Sequence, residues 1–174
     1  MTDSASTPVL DSAAGTWRLD PSNTTIEIHT TAIWGLAMVR GTFNAVSGNG
    51  ALGDHGSISG ELIVDAGSID TKNKRRDKHL RSAEFFDVSK YPTLTFTASD
   101  VAPAADGTLK INGALRIRDQ SQPVELIAAP TNPSPDRVTL NAEATLDRSN
   151  WGMSWRKGAS MVNRVAVKAQ FVRA

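Results

Sequence analysis

Alternation of apolar and polar residues dominates the chain from Trp17 onward. Apolar residues at every second position indicate β-strands with one buried and one solvated face. The alternation is clearest in five segments, at 26–31, 93–99, 109–117, 138–147 and 165–171. Weaker strands are expected at 17–20, 40–52, 60–65 and 124–129. About eight antiparallel strands joined by short turns predict an all-β fold, either a sandwich or an up-and-down barrel.

The segment 40–52 departs from regular alternation. Its apolar positions shift from Ala45 to Val46, and three glycines interrupt it, Gly41, Gly48 and Gly50. A shift of this kind is typical of a β-bulge, which barrels use to curl a sheet. The sequence therefore predicts a bulge or a sharp bend here.

One segment has a helical pattern instead. Thr71 or Asn73 is a candidate N-cap, and good helix formers follow from Lys74 to Arg81. A short further turn is expected at 82–86. The sequence thus predicts one helix beside the sheet, over about 72–86.

Length and composition place the chain among soluble single-domain proteins. It has 174 residues, of which 40% are hydrophobic and 21% charged. We expect residues 1–15 to form a disordered tail and 16–174 to form the domain. The tail lacks the positive start and apolar run of a secretory signal, so a cytoplasmic location is expected. No segment approaches the roughly 18 apolar residues of a membrane span, so no stable membrane insertion is expected.

Charge and residue types exclude several kinds of function. The formal net charge of +1 argues against a nucleic-acid binder. Without cysteine there is no disulfide, thiol nucleophile or thiolate site. The three histidines, His29, His55 and His79, are spread over different elements, so no metal site is expected. No nucleophile elbow, phosphate loop or dinucleotide motif is present, so we expect no catalytic residues, no cofactor and no enzyme activity.

A basic segment is the strongest candidate for polar recognition. It contains six cations, Lys72, Lys74, Arg75, Arg76, Lys78 and Arg81. Such a cluster suits a phosphate or carboxylate head group, because arginine binds these oxygens through a planar fork. The alternative is a solvated helix face on which Asp77 pairs with Arg81. The inward-facing positions of the strands are also ambiguous. Many of them are small, which leaves room for a ligand, but close packing of the faces remains the alternative.

The run from Ser68 to Phe96 contains a long gap-free motif. It reads S-I-x-T, then R-D-x-H-L, then F-F-D, then Y-P-x-x-x-F. The matching positions are Ser68, Ile69, Thr71, Arg76, Asp77, His79, Leu80, Phe85, Phe86, Asp87, Tyr91, Pro92 and Phe96. This pattern resembles the signature of the YceI-like family, the lipocalin-like polyisoprenoid-binding proteins.

The resemblance extends over about 17–173. The segment from Val39 to Phe43 is similar to the family's V-x-G-x-F motif. The segment from Arg148 to Gly152 is similar to its R-S-x-F-G turn, with Trp151 in place of Phe. One departure lies at Arg118-Asp119, where the family commonly has His-Gly.

The resemblance implies an eight-stranded antiparallel lipocalin-like barrel with one flanking helix, and a lipid in its interior. The residues expected to line that interior are Ile26, Ile28, Phe43, Leu62, Val64, Phe85, Phe86, Leu94, Phe96, Leu115, Ile117, Leu126 and Trp151. Arg76, His79 and Arg81 are expected to hold the head group or border the opening. A homodimer is an expectation that rests on the resemblance alone.

The expected function is therefore non-enzymatic binding, sequestration or transport of an isoprenoid lipid, either a polyprenyl pyrophosphate or an isoprenoid quinone. Three alternatives stay open. The first is a binder of fatty acids, fatty amides or other lipophilic molecules. The second is an enzyme that acts on a lipid in the barrel, and the third is a structural protein with a filled core.

Overall fold

A computed structural model describes residues 14–32, 37–53, 57–154 and 160–174. The predicted tail lies outside these residues except for its last two positions. His55 also lies outside them.

Nine antiparallel strands and one helix make up the described fold. The strands are β1 (Gly15–Leu19), β2 (Thr25–Ala32), β3 (Ala37–Leu52), β4 (Ile58–Asp70), β5 (Thr93–Pro103), β6 (Leu109–Ile117), β7 (Gln120–Ser134), β8 (Arg137–Asp147) and β9 (Val162–Arg173). The helix is α1 (Lys74–Leu80), and short 3-10 turns lie at Pro21–Asn23 and Arg148–Trp151. Every strand expected from alternation is present, and most are longer than the sequence pattern indicated.

The sheet closes into a barrel. The strand order is β3-β2-β9-β8-β7-β6-β5-β4, and β4 pairs again with β3. Strand β1 pairs with both β3 and β9, as β2 does further along the same two strands. Thus β1 and β2 share one position, and the barrel has the eight strand positions that were predicted. This resolves the choice between a sandwich and a barrel.

The predicted irregularity in β3 is confirmed. Its pairing with β4 shifts between Thr42 and Asn44, and again between Ala45 and Ser47. The second shift turns the side chain of Val46 outward, where it is 51% exposed. An extra residue in one strand bends it locally, so these shifts curve β3 around the barrel.

The predicted helix is confirmed but shorter than expected. It begins after Asn73, whose side-chain oxygen accepts a hydrogen bond from the backbone N–H of Arg76 at 3.0 Å. That geometry is a standard N-cap and selects Asn73 over Thr71. Helix α1 ends at Leu80, and turns continue from Arg81 to Phe86.

We call the two ends of the barrel by what lies there. The helix end holds α1, the β6–β7 turn and the segment after β8, and the terminal end holds β1 and the last residues of β9. The larger buried cluster lies toward the helix end and includes Phe43, Ile69 and Trp151. A smaller cluster at the terminal end consists of Leu109, Ile111, Ala128 and Ala142. In the part of the chain that the structure describes, no helix has the length and apolar character needed to span a membrane.

Candidate functional site

The barrel encloses a cavity of about 830 Å³. All thirteen residues predicted to line the interior lie along the cavity. Ten of them are on strands, which alternate their side chains between inside and outside, and Phe85, Phe86 and Trp151 are on turns. Phe43 and Phe86 meet edge to face with ring centroids 5.6 Å apart, which fixes one wall of the cavity. The cavity argues against the filled-core alternative.

Small side chains create much of this space. Ala98, Ala142, Ala144 and Ala169 all line the cavity, as the alternation suggested. Gly113 serves a different purpose, because a Cβ there would lie 2.3 Å from the carbonyl oxygen of Thr97 and 2.6 Å from the ring of Phe96. The missing side chain of Gly113 therefore leaves the space that the Phe96 ring occupies.

Charged residues line the cavity unevenly. The cationic or titratable basic ones are Arg75, Arg76, His79 and Arg148, all at the helix end, whereas Glu61 is the one acidic residue among the described lining residues. A polar group placed at the helix end of the cavity would therefore lie among basic side chains.

Arg76 and Asp77 anchor the helix through Thr71. The buried carboxylate of Asp77 accepts hydrogen bonds from the Thr71 N–H at 3.0 Å and from its hydroxyl at 2.5 Å. Arg76 donates from Nε to the same hydroxyl at 2.7 Å and from Nη2 to the Thr71 carbonyl at 2.8 Å. These bonds fasten both flanks of the β4–α1 connection, so two of the arginine's donors are already occupied.

Arg81 is absent from the described residues that line the cavity. Its Nε and Nη2 donate to the backbone carbonyls of Gly67 and Ile69, both at 2.9 Å. The geometry therefore gives Arg81 a structural contact with β4 in place of a position in the cavity lining. The alternative ion pair between Asp77 and Arg81 is also not formed, because both side chains bond elsewhere.

Arg75 was missed as an individual candidate. It lines the cavity, is exposed, and forms no hydrogen bond or ion pair with any described residue. Sequence alone places it one position from Arg76 in a run of cations, and nothing in that run distinguishes the two. The distinction comes from the helix, which turns Arg76 toward Thr71 and leaves the guanidinium of Arg75 available.

His79 is among the residues that line the cavity at the helix end. Its Nε2 lies 2.9 Å from a carboxylate oxygen of Glu84, and its ring meets Phe85 edge to face at 5.2 Å between centroids.

The Lys72 N–H donates to the carboxylate of Asp70 and, with the Lys72 side chain, lowers the pKa of that carboxyl group. Among the described residues, no three histidine, aspartate or glutamate side chains are grouped closely enough to hold a metal ion.

The chain is similar to known proteins over most of its length. The family model described as the YceI-like domain matches residues 17–172. The chain belongs to the YceI-like family. A UPF0312 protein of Vibrio cholerae is 31% identical over 137 residues, covering 74% of this YceI-like chain and 72% of the relative. A UPF0312 protein of Pectobacterium atrosepticum is 32% identical over 127 residues, covering 69% and 66%.

Solved structures share the barrel. BcnA of Burkholderia cenocepacia superposes with a TM-score of 0.75 at 16% identity, covering 87% of this chain and 98% of BcnA. A polyisoprenoid binding domain from Saccharophagus degradans gives 0.72 at 12% identity, covering 91% and 98%. The YceI protein of Campylobacter jejuni gives 0.69 at 20% identity, covering 80% and 87%. At these identities the similarity shows the fold.

Arg148 is a second residue that the sequence did not single out for the cavity of this YceI-like chain. It is 8% exposed, and its Nη1 and Nε donate to the carbonyls of Met153 at 2.6 Å and Ser160 at 3.1 Å. Its guanidinium also lies 5.5 Å from the centre of the Phe85 ring. Arg148 thus brings the segment after β8 against the turn that follows α1. Its match to the family motif was visible in the sequence, but its inward position was not.

The Arg118 departure from the family pattern has a structural consequence. Arg118 adopts a left-handed backbone conformation, with φ at 57°, and its Nη2 donates to the carbonyl of Trp151 at 2.5 Å. Trp151 in turn donates from its indole N–H to the Leu115 carbonyl at 2.8 Å. Gly152 completes the contact, because a Cβ there would lie 2.9 Å from Nη2 of Arg118. Arg118 therefore holds the backbone of a tryptophan that forms part of the cavity wall.

Proposed function

We propose that this YceI-like chain binds an isoprenoid lipid non-covalently in the barrel, with the polar head at the helix end. The supporting observation is an apolar cavity of about 830 Å³ whose basic lining residues are confined to one end. The Saccharophagus degradans domain, with a TM-score of 0.72, is named as a polyisoprenoid binding domain. The proposed role is sequestration or transport without turnover.

The size of the cavity favours a ligand. Ligand pockets commonly measure roughly 300–1,000 Å³, whereas small apolar cavities of about 150 Å³ stay empty of water. A cavity of about 830 Å³ belongs with the first group. An apolar chain in it would gain roughly 25 cal/mol for each Å² removed from water, so the chain would supply most of the affinity.

The head group would meet Arg75 first. Arg75 has no partner among the described residues, whereas Arg76 and Arg148 each donate to backbone carbonyls or hydroxyls nearby. A phosphate or carboxylate accepts the paired donors of a guanidinium well. His79 and the remaining donors of Arg76 lie on the same side of the cavity. A pyrophosphate head should therefore depend on Arg75 more than a neutral quinone head does.

The test has two stages. Native mass spectrometry of the purified protein, followed by organic extraction, identifies any lipid that co-purifies. Titration with a polyprenyl pyrophosphate and with a matched polyprenyl alcohol then compares Arg75→Gln with Lys78→Gln, an exposed cation on α1 that does not line the cavity. We expect Arg75→Gln to weaken pyrophosphate binding up to about tenfold while leaving alcohol binding unchanged. Lys78→Gln should change neither affinity.

Other outcomes would redirect the proposal. An empty barrel that rejects both polyprenyl ligands contradicts it. Preference for fatty acids or fatty amides over isoprenoid chains would move the assignment to a general lipid binder. Chemical change of the bound lipid, lost on replacing a single histidine or carboxylate without loss of binding, would indicate an enzyme. The homodimer and the cytoplasmic location stay predictions.

A further inference from the structure

Two large apolar side chains are exposed on the outer surface at the helix end. Met38, near the start of β3, is 70% exposed, and Val162, at the start of β9, is 50% exposed. Their neighbours Val39 and Asn163 line the cavity, so alternation points Met38 and Val162 outward. Strand β2 lies between these strands. The pair therefore borders one side of the barrel wall, next to the end where the proposed ligand would enter.

Two arginines form the next row of the same surface. Arg40 and Arg164 are each paired in register with His29 of β2. Both lie two residues along their strands from Met38 and Val162, which is roughly 7 Å further from the helix end. Arg40 has no ion pair with a described residue, and Arg164 meets Glu143 at 3.4 Å with both side chains 67% exposed. An exposed pair of this kind contributes little, so Arg164 stays available to another anion.

Acidic residues form the third row. On β2, Glu27 lies two residues further from the helix end than His29, and its carboxylate is 3.2 Å from the His29 ring nitrogen. Glu143 of β8 lies at the same level, since both glutamates are paired with Ala166 of β9. Across β3, β2 and β9 the surface thus runs from apolar to basic to acidic with distance from the helix end. On β8, Asp147 lies opposite Val162, and its carboxylate accepts hydrogen bonds from Ser149.

The charge of the barrel has the same direction. In the described parts of the helix-end segments 28–43, 65–95, 114–123 and 144–165, twelve Lys and Arg stand against seven Asp and Glu. In the remaining described residues, five Lys and Arg stand against eight Asp and Glu. A negatively charged surface would therefore attract the helix end and repel the terminal end.

We propose that this face, formed by Met38, Val162, Arg40 and Arg164, docks onto an anionic lipid bilayer with the helix end toward the membrane. Interfacial segments bury their apolar side chains roughly 5–10 Å below the head groups, which places a basic row 7 Å behind them at the phosphates. The acidic row then stays in water. The inference goes beyond the proposed cavity ligand, because it concerns the outer surface and needs no lipid in the barrel.

Vesicle co-sedimentation tests this docking directly. The probe is the full chain with vesicles of equal parts phosphatidylglycerol and phosphatidylcholine, compared with phosphatidylcholine alone. We expect binding only to the anionic vesicles, and weakening with added salt. The double variant Arg40→Gln, Arg164→Gln should bind about thirtyfold more weakly, because each cation near an anionic leaflet contributes roughly fivefold. Met38→Ser with Val162→Ser should lose more than about tenfold.

Matched controls lie further from the helix end, at or beyond the level of the acidic row. Ile127→Ser removes an apolar side chain that is 44% exposed on β7, and Lys110→Gln with Lys168→Gln removes two exposed cations. These controls should bind vesicles like the parent chain. Equal binding to neutral vesicles, no binding at all, or equal losses in the controls would each overturn the proposal. So would a sedimentation result in which Met38→Ser with Val162→Ser converts a dimer to a monomer without changing vesicle binding.

Failure of docking and failure of the cavity function are distinguishable. The docking variants should still take up a polyprenyl ligand presented in solution, since none of their replaced side chains lines the cavity. A chain that docks but takes up no ligand would contradict the proposed function alone.

Discussion

The two ends of the barrel use arginine differently. At the helix end, Arg76 and Arg148 donate to backbone carbonyls of the connecting segments and Arg81 donates to carbonyls of β4, while Arg75 is left available beside the cavity. At the terminal end, Arg173 lies over the Trp17 ring at 4.4 Å and donates to the carbonyls of Pro135 and Ala14 at 2.7 and 2.8 Å. Neither Arg173 nor Trp17 lines the cavity.

The difference shows that a cation near a barrel end can be assigned to ligand binding or to structure only when the partners of its hydrogen-bond donors are known. Both ends are basic in places and both are held by guanidinium groups bonded to carbonyls. At the terminal end Arg173 packs against the Trp17 ring, where β1 pairs with β9. At the helix end the same chemistry fixes the connections, and the neighbouring Arg75 is left for recognition.

The largest expected effect is on the stability of the helix end. Asp77→Ala removes the acceptor of the buried Thr71 N–H and hydroxyl, so we expect a loss of about 3 kcal/mol in the free energy of unfolding. Urea denaturation measures it. Asp70→Ala, an exposed carboxylate beside Lys72, is the control and should cost much less. Equal losses for the two variants would mean that the helix end is not anchored through Thr71.

A second prediction separates the ends by ligand length. Ala169→Phe narrows the cavity toward the terminal end, so binding of long polyprenyl chains should weaken more than about tenfold while short chains bind as before. Ala144→Phe narrows it near the helix end and should weaken both. Titration with a series of chain lengths distinguishes these patterns. If both variants affect all lengths equally, the proposed direction of the ligand is wrong.

A third prediction concerns the seal at the terminal end. Arg173→Ala removes the contact with Trp17 and two carbonyl hydrogen bonds, which should lower the free energy of unfolding by about 1.5 kcal/mol. Polyprenyl affinity should stay unchanged. Arg137→Ala, an exposed neighbour at the same end, serves as the control and should leave both quantities unchanged. A clear loss of affinity in Arg173→Ala would show that the terminal end also takes part in binding.

The smallest expected effect is at acid pH. Hydrogen bonds from the side chains of Ser22 and Thr108 lower the pKa of Asp20 and Asp106, both at the terminal end, below the ordinary value of 3.8. A carboxyl group with a lowered pKa stabilises the fold above 3.8 and loses that contribution as the pH falls below it. Unfolding midpoints of Asp20→Ala with Asp106→Ala should therefore converge with those of the parent chain below that pH. A constant offset would exclude this cause.

The sequence predicted the barrel better than the site. Alternation located five of the nine described strands clearly and the other four weakly, because inside and outside positions of a barrel strand differ in polarity. The shift from Ala45 to Val46 located the bulge for the same reason. Pairing the short β1 with two long strands was not foreseeable, since register depends on contacts far apart in the chain.

The cavity lining followed from the apolar alternation and the family motifs, but the roles of the cations did not. Arg75, Arg76 and Arg81 are equivalent in a basic run. Their difference comes from which carbonyls and hydroxyls the folded chain brings near each guanidinium. Thr71, which directly follows β4, accepts the hydrogen bonds of Arg76. The carbonyls of Gly67 and Ile69 accept those of Arg81.

The pairing of β1 with β9 has a practical consequence. Trp17 lies opposite Arg173, and the N–H of Ala174 donates to the Thr16 carbonyl at 3.0 Å, so the first and last strands leave the barrel side by side. A fluorescent reporter or surface tether joined at the terminal end of β1 or β9 would therefore project away from α1. Immobilised in that way, the barrel would present its helix end to the solution, which suits single-molecule recording of ligand entry.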